Sequence, residues 1–243
     1  MKVYGLLGRN IDYSFSRSYF SEKFQKENIN AEYRNFDIAE IGKFPDVLKQ
    51  NKHLKGMNVT IPYKQAVIKY LDGLDENAEE IGAVNTIKIE SNGKLTGHNT
   101  DFYGFSESLK PLLRAHHSHA LILGTGGASK AVAFALKNLG ITFRYVSRTP
   151  EKGQLIYADL SEEIFRKYSI VVNSTPLGTF PSTEECPDLP YENFTEKHLA
   201  YDLIYNPSTT KFMELAAKNG AKTINGSKML RLQAEKAWEI WNS

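Results

Sequence analysis

The stretch Leu121-Ile122-Leu123-Gly124-Thr125-Gly126-Gly127-Ala128-Ser129-Lys130-Ala131-Val132 decides the fold. Three apolar residues stop at a glycine cluster. Small and apolar residues at helical spacing then run through Phe134, Leu136 and Leu139 to Gly140. The pattern predicts a buried strand, a tight turn and a helix. Gly124 permits the turn, and Gly126 lets a pyrophosphate approach the backbone. The helix N-terminus offers unpaired N–H groups and a partial positive charge to that anion. Ser129 stands where the G-x-G-x-x-G/A pattern has its third small residue, and serine is small enough for close helix–strand packing. Strand before and helix after are the context the motif requires. A plain strand–helix turn is the alternative.

Working outward, the chain alternates strands and helices. Strands are expected at Lys2–Leu7, Glu32–Asp37 and Gly56–Thr60, and helices at Ser16–Glu27 and Phe44–Gln50. Val84–Glu90 and Lys94–Gly97 should form a hairpin around Ser91-Asn92-Gly93. Asn99–Leu113 reads as a connecting helix. Beyond it come strands at 120–123, 142–147, 169–173, 199–203 and 222–225, with helices at Thr210–Lys218 and Lys228–Trp241. Alternating β and α units imply mostly parallel sheets covered by helices. Between Thr149 and Ile170 there is room for one crossover but not for helix, strand and helix. The nucleotide-binding region should therefore be trimmed, in its second half.

The 243 residues carry 30 Lys plus Arg against 28 Asp plus Glu, a net charge of +2 that gives no argument for nucleic acid or a membrane surface. A single cysteine, Cys186, excludes an internal disulfide and a Cys-based zinc site; it reads as an incidental thiol in a polar loop. The closely spaced His116, His117 and His119 read as a polar surface connection rather than a metal site, since no carboxylate accompanies them. No apolar run reaches membrane-spanning length and the N-terminus has no signal-peptide pattern, so a reducing cytoplasm is the expected location.

Chemistry is expected where strands end. Lys64, after the strand ending Asn58-Val59-Thr60, can donate to a carbonyl that is becoming an alkoxide; an ordinary lysine at a helix start is the alternative. Asp101 can cap the helix that follows it or pair with a lysine. The hydroxyls of Ser14 and Ser16 can face a carboxylate or a diol, or Ser16 can serve as the N-cap of its helix. Asn85 lies in a strand-edge polar cluster, and Asn173-Ser174-Thr175-Pro176-Leu177-Gly178 offers polar surface suited to a nicotinamide or ribose. Where an NAD site carries an acid for the ribose 2′-hydroxyl, this chain has Ser147-Arg148-Thr149, with Lys152 close behind. That charge meets the 2′-phosphate of NADP, or else forms a solvated basic turn.

These stretches, with Gly82-Ala83-Val84-Asn85-Thr86, Asp202-Leu203-Ile204-Tyr205 and Gly226-x-x-Met229-Leu230-x-x-Gln233-Ala234, resemble in order the shikimate dehydrogenase family over nearly the whole chain. The resemblance implies two α/β domains. Residues 1–101 plus 226–243 would bind the substrate, on a mostly parallel sheet, and 102–225 would form a Rossmann-like NADP-binding domain. It implies Lys64 and Asp101 as the catalytic pair, and Ser14 and Ser16 on the substrate carboxylate. Thr60, Asn85, Asp101 and Gln233 would meet the ring hydroxyls, with Tyr205 nearby. Gly124, Gly126, Gly127, Ala128, Ser147, Arg148, Thr149, Lys152, Thr175, Leu203, Gly226 and Met229 would contact the cofactor, with no metal. Small-molecule partners and a monomer or homodimer follow from the same likeness. The family usually has histidine where Tyr13 stands, proline where Arg17 stands and often asparagine where Ser147 stands, and its stretch after Thr149 is longer. The expected reaction is reversible NADPH-dependent reduction of 3-dehydroshikimate. The competing readings are a quinate/shikimate dehydrogenase with NAD or relaxed cofactor use, and a non-catalytic regulator. A related fold serves methylene-tetrahydrofolate dehydrogenase, but the serine pair and the Gln233 segment argue for a small polyhydroxy acid.

Overall fold

The computed structural model describes residues 1–12 and 14–243; Tyr13, noted above for its departure from the family, lies outside the described residues. The chain forms two compact units, Met1–Thr100 with Ala234–Ser243, and Asp101–Gln233.

In the first unit, β1 (Lys2–Gly8) leads to α1 (Phe15–Lys26), β2 (Ala31–Asp37), α2 (Phe44–Gln50) and β3 (Leu54–Val59). Then come β4 (Gly73–Leu74), α3 (Glu76–Ile81), β5 (Thr86–Ile89) and β6 (Leu95–His98). The sheet order is β2-β1-β3-β5-β6-β4. β1 is parallel to β2 and β3, and β4 to β6, while β5 runs antiparallel to both neighbours. The last six residues of β1 are all buried, as an apolar run in a covered central strand requires. α1 begins at Ser14, whose hydroxyl accepts the Arg17 N–H at 3.3 Å. This corrects the expectation that Ser16 caps the helix: Ser16 lies inside it, on the buried face with Phe20 and Phe24. The hairpin between β5 and β6 turns at Gly93, where φ is +86° and the Asn92 side chain accepts from Lys94 N.

The second unit runs through α4 (Asp101–Leu109), β7 (His119–Leu123), α5 (Gly127–Asn138), β8 (Thr142–Val146) and α6 (Glu162–Lys167). It continues with β9 (Ile170–Asn173), β10 (Leu199–Asp202), α7 (Lys211–Lys218) and β11 (Lys222–Ile224). Its sheet is wholly parallel, in the order β11-β10-β9-β7-β8. α4 is shorter than the pattern predicted, because Pro111 has no N–H to continue it and a single 3₁₀ turn follows. Against the six-stranded doubly wound order 3-2-1-4-5-6, the missing strand is the third. The trimming therefore falls in the first half of the fold, not the second. Leu155 alone stands beside β8 in its place, donating to Tyr145 O and accepting from Ser147 N, each at 2.9 Å. That short contact covers an edge that would otherwise expose unpaired backbone.

The last helix, α8 (Ser227–Asn242), divides between the units at Gln233 and Ala234. Met229 is buried in the core of the second unit, while Ala234, Ala237 and Trp241 are buried in that of the first. The Trp241 indole stacks on Tyr4 at 4.9 Å and donates to Ile87 O at 3.0 Å. Glu235 accepts from Tyr19 and from Lys23, tying α8 to α1. Among the described residues no helix is long and apolar enough to cross a membrane.

Candidate active site

In the first unit, the C-terminal ends of β1, β3 and β6 and the start of β5 meet along one edge of the sheet, because β5 alone is reversed. Thr60 N donates to Leu7 O at 2.9 Å, Val59 N to Asn85 O at 2.7 Å and Val84 N to Lys64 O at 2.7 Å. Lys64 is thus held by its backbone against the segment that carries Asn85. Its neighbour Tyr63 is buried and donates to Ile38 O at 2.6 Å, fixing the turn from the other side. Asn85 is buried; its Oδ1 accepts Thr100 N at 2.7 Å and its Nδ2 donates to Thr100 Oγ1 at 3.0 Å. Asp101 is the next residue in the chain and the first of α4, where a carboxylate complements the helix N-terminus.

One support here, Tyr33, was not singled out from the sequence. Tyr33 donates its phenol to Asn58 Oδ1 at 2.8 Å, and Asn58 Nδ2 donates to Thr86 Oγ1 at 3.2 Å and Asn85 O at 3.4 Å. Thr86 Oγ1 donates to Asn85 Oδ1 at 3.1 Å. The Tyr33 ring stacks on Phe20 at 4.8 Å, and its hydroxyl also pairs with Ser16, one turn before Phe20 on α1. Burial pushes the Tyr33 phenol far above its ordinary pKa, so it stays a neutral donor. A buried polar chain therefore joins Ser16 to Asn85 beneath the rim. Asp37, at the end of β2, accepts Asn10 N and Ile11 N at 3.2 and 2.9 Å, fixing the loop that leads to Ser14. At the position where proline is usual, Arg17 donates from Nη2 to Asp12 O at 3.2 Å, within the same loop.

In the second unit, the turn after β7 has the expected form. Gly124 has φ +97°, which a side chain would strain, and a Cβ at Gly126 would face open space. Gly126 caps α5 without a side chain, leaving the first-turn N–H groups to a ligand. Ser129 is fully buried and donates to Gly126 O at 2.6 Å, so the third small position is filled by a residue that also braces the turn. After β8, Ser147 is buried and bonds Thr149 through its hydroxyl at 3.2 Å, while Arg148, Thr149 and Lys152 are exposed. These features fit a dinucleotide: a pyrophosphate cradle at Gly124–Ala128 and, at the adenosine end, a cation with no acid on the Ser147–Thr149 turn. Thr175 is fixed by two bonds to Asn173 Oδ1, at 3.1 and 2.7 Å. Gly226 donates to Ile204 O at 2.9 Å and lies so close to the Leu203 carbonyl that a Cβ would collide with it. Gly104, one turn beyond Asp101, packs on Met229 and Gln233, which brings Gln233 beside the start of α4. Tyr205 is exposed.

Two of the three histidines near this connection are engaged by the backbone, while His119, the first residue of β7, pairs with the Ser118 hydroxyl at 2.9 Å. His116 and His117 each donate from Nε2 to Lys197 O, at 3.0 and 3.2 Å.

A parallel nucleotide-type unit and a second unit with a lysine, hydroxyls and amides along one sheet edge define a dinucleotide-dependent oxidoreductase of small polar molecules. The model of the shikimate dehydrogenase substrate binding domain matches residues 6–87. The shikimate dehydrogenase (NADP(+)) of Methanococcus maripaludis is 40% identical over 262 residues, covering 99% of this chain and 91% of that protein. The crystal structure of the Thermus thermophilus shikimate 5-dehydrogenase in complex with NADP(H) and shikimate superimposes with a TM-score of 0.87 at 32% identity, covering 99% of this chain and 93% of that one. The quinate dehydrogenase of Corynebacterium glutamicum in complex with NAD also reaches 0.87, at 26% identity over 99% of this chain and 93% of that one. The chain belongs to the shikimate dehydrogenase family.

Proposed function

We propose that the chain catalyses the reversible, NADP-dependent interconversion of 3-dehydroshikimate and shikimate, in the biosynthesis of chorismate and the aromatic amino acids. The observation that carries this is the strand-end cluster in which Lys64, Asn85 and Thr100 are bonded to one another's segments immediately before Asp101. In this reading residues 1–101 with 226–243 bind the substrate and 102–225 bind NADP. Ser14 and Ser16 hold the carboxylate; Thr60, Asn85, Asp101 and Gln233 take the ring hydroxyls, with Tyr205 nearby. Gly124, Gly126, Gly127 and Ala128 take the pyrophosphate, and Ser147, Arg148, Thr149 and Lys152 the 2′-phosphate end. Thr175, Leu203, Gly226 and Met229 complete the cofactor contacts.

When bound, the reduced nicotinamide supplies the hydride that the C3 carbonyl carbon accepts. Lys64 donates a hydrogen bond to the carbonyl oxygen as negative charge develops there, and then passes it a proton. Asp101 fixes the charge and direction of Lys64. A donor already in place needs no reorganisation at the moment of reaction, which is where such a group lowers the barrier. The partners are small molecules alone, with the chain acting as a monomer or homodimer in a reducing cytoplasm.

A spectrophotometric assay with shikimate and quinate, each with NADP and NAD, tests the reading. Shikimate with NADP should give the highest kcat/KM. Preference for quinate with NAD selects the quinate/shikimate alternative. Binding of both ligands without turnover would mean a regulator instead.

A further inference from the structure

We infer that Asp202 is a positioning residue for the cofactor: its buried carboxylate locks together the two turns that carry Thr175 and Leu203. The inference rests on the function proposed above. Asp202 ends β10 and is fully buried. Its Oδ1 accepts Asn173 Nδ2 at 3.1 Å and Ile204 N at 3.0 Å, and its Oδ2 accepts Thr210 Oγ1 at 2.6 Å. The three donors come from three different segments: the end of β9, the turn after β10, and the N-cap of α7.

Each partner passes the constraint on. Asn173 uses its Oδ1 to hold Thr175 through both N–H and hydroxyl, and its backbone O accepts Leu203 N at 3.0 Å. Ile204 O accepts Gly226 N at 2.9 Å, and Gly226 closes directly on the Leu203 carbonyl. Thr210 accepts Met213 N at 3.3 Å, so the hydroxyl that caps α7 also reaches Asp202. Leu203 is therefore held between Asn173 and Gly226, and Thr175 is held by Asn173. Both settings depend on one carboxylate that no ligand has to touch. A buried carboxylate is a poor device for stability alone, because its desolvation offsets much of what its bonds contribute. Burial pushes Asp202 up to about 6, against the pull of Thr210, Ile204 and Asn173. The position gains more from the number of hydrogen bonds than from the charge. A planar side chain with hydrogen-bonding atoms on two branches spans all three partners.

The test uses the full chain and the shikimate–NADP assay. Asp202→Ala should lower kcat about 10²-fold, the cost of misplacing reacting groups by about an ångström, and raise the KM for NADP severalfold. The deuterium isotope effect with shikimate deuterated at C3 should rise as hydride transfer becomes limiting. Asp202→Asn should stay within about threefold of wild type, since its Oδ1 can accept from Asn173 and Ile204 and its Nδ2 can donate to Thr210 Oγ1. If the alanine variant does not fold, Thr210→Val and Thr210→Ser replace it: valine should reproduce the defect and serine should restore wild-type kinetics. A folded Asp202→Ala or Thr210→Val enzyme with wild-type kcat and NADP KM overturns the inference, as does an asparagine variant no better than alanine. Absence of shikimate turnover in the wild type would instead overturn the proposed function.

Discussion

Lys64 can be read from the sequence because its surroundings are local: a strand end, a proline and a tyrosine fix where its backbone goes. In the function proposed above, its ammonium is the donor to the developing alkoxide. Lys64→Ala should therefore lower kcat by about 10²–10³, with little change in shikimate binding; kcat and substrate dissociation constants measured side by side check this. Tyr33 is the opposite case. It stands in a strand of mixed residues, and nothing in the local pattern says that its hydroxyl reaches Asn58 on a strand two places away in the sheet. Tyr33→Phe keeps the stack on Phe20 but leaves Asn58 Oδ1 buried without that donor. The cost should be about 1–3 kcal/mol of stability, with a severalfold higher KM for shikimate and an unchanged KM for NADP. Urea unfolding and steady-state kinetics give the two readouts. The serine pair lies between these cases. The sequence located it, but which hydroxyl caps the helix depends on one residue of helix start, and that is where local reading is weakest.

Elements were legible where their apolar period was long and their connections short. The strand–turn–helix at Leu121–Val132 formed as read, whereas β4 and α3 are too short to leave a period in the sequence. α8 shows what periodicity conceals: one continuous stripe serves two cores, with Met229 in one and Trp241 in the other. Trp241 closes the first unit, lying over Gly56, stacked on Tyr4 and bonded to Ile87 O. Trp241→Ala should cost about 3–5 kcal/mol, as for other buried aromatic truncations. Chemical denaturation followed by a probe in residues 1–100 should detect that loss. The shortened β8–β9 connection leaves the turn after β8 as the main cationic feature at that strand end. There Arg148 is exposed, and its guanidinium is the group suited to a phosphate fork. Arg148→Ala should lower the ratio of kcat/KM for NADP over NAD about ten- to a hundredfold, as expected for loss of one charged hydrogen-bonding pair. An unchanged ratio would move the discrimination to Lys152 or to the hydroxyls of Ser147 and Thr149.

At the scale of the whole molecule, the buried titratable groups pull stability in opposite directions with pH. Burial lowers the pKa of His117 and His198. Each is neutral in the fold, donating from Nε2 to a carbonyl and accepting a backbone N–H at Nδ1. Their unfolded pKa is about 6.5, so on acidification the unfolded chain binds their protons first. Their contribution is complete above that value and is lost as pH falls through the lowered folded values. Asp202 has the reverse sign. Its folded pKa of about 6 lies above the ordinary 3.8, so the native state binds the extra proton. Its buried charge therefore costs stability above about pH 6, and the cost is relieved as pH falls toward 4. Glu235, raised by desolvation and by Glu239, acts in the same sense as Asp202. Wild type should accordingly lose Tm only gradually between pH 7 and 5, because the histidine loss is partly offset. Asp202→Asn removes one offset and leaves the histidines untouched, so its Tm should fall more steeply over the same interval. Thermal unfolding of both proteins across that range measures the difference in slope. Parallel slopes would mean that folding leaves the Asp202 pKa unshifted, so that the native and unfolded states bind the same number of protons at this residue across the interval.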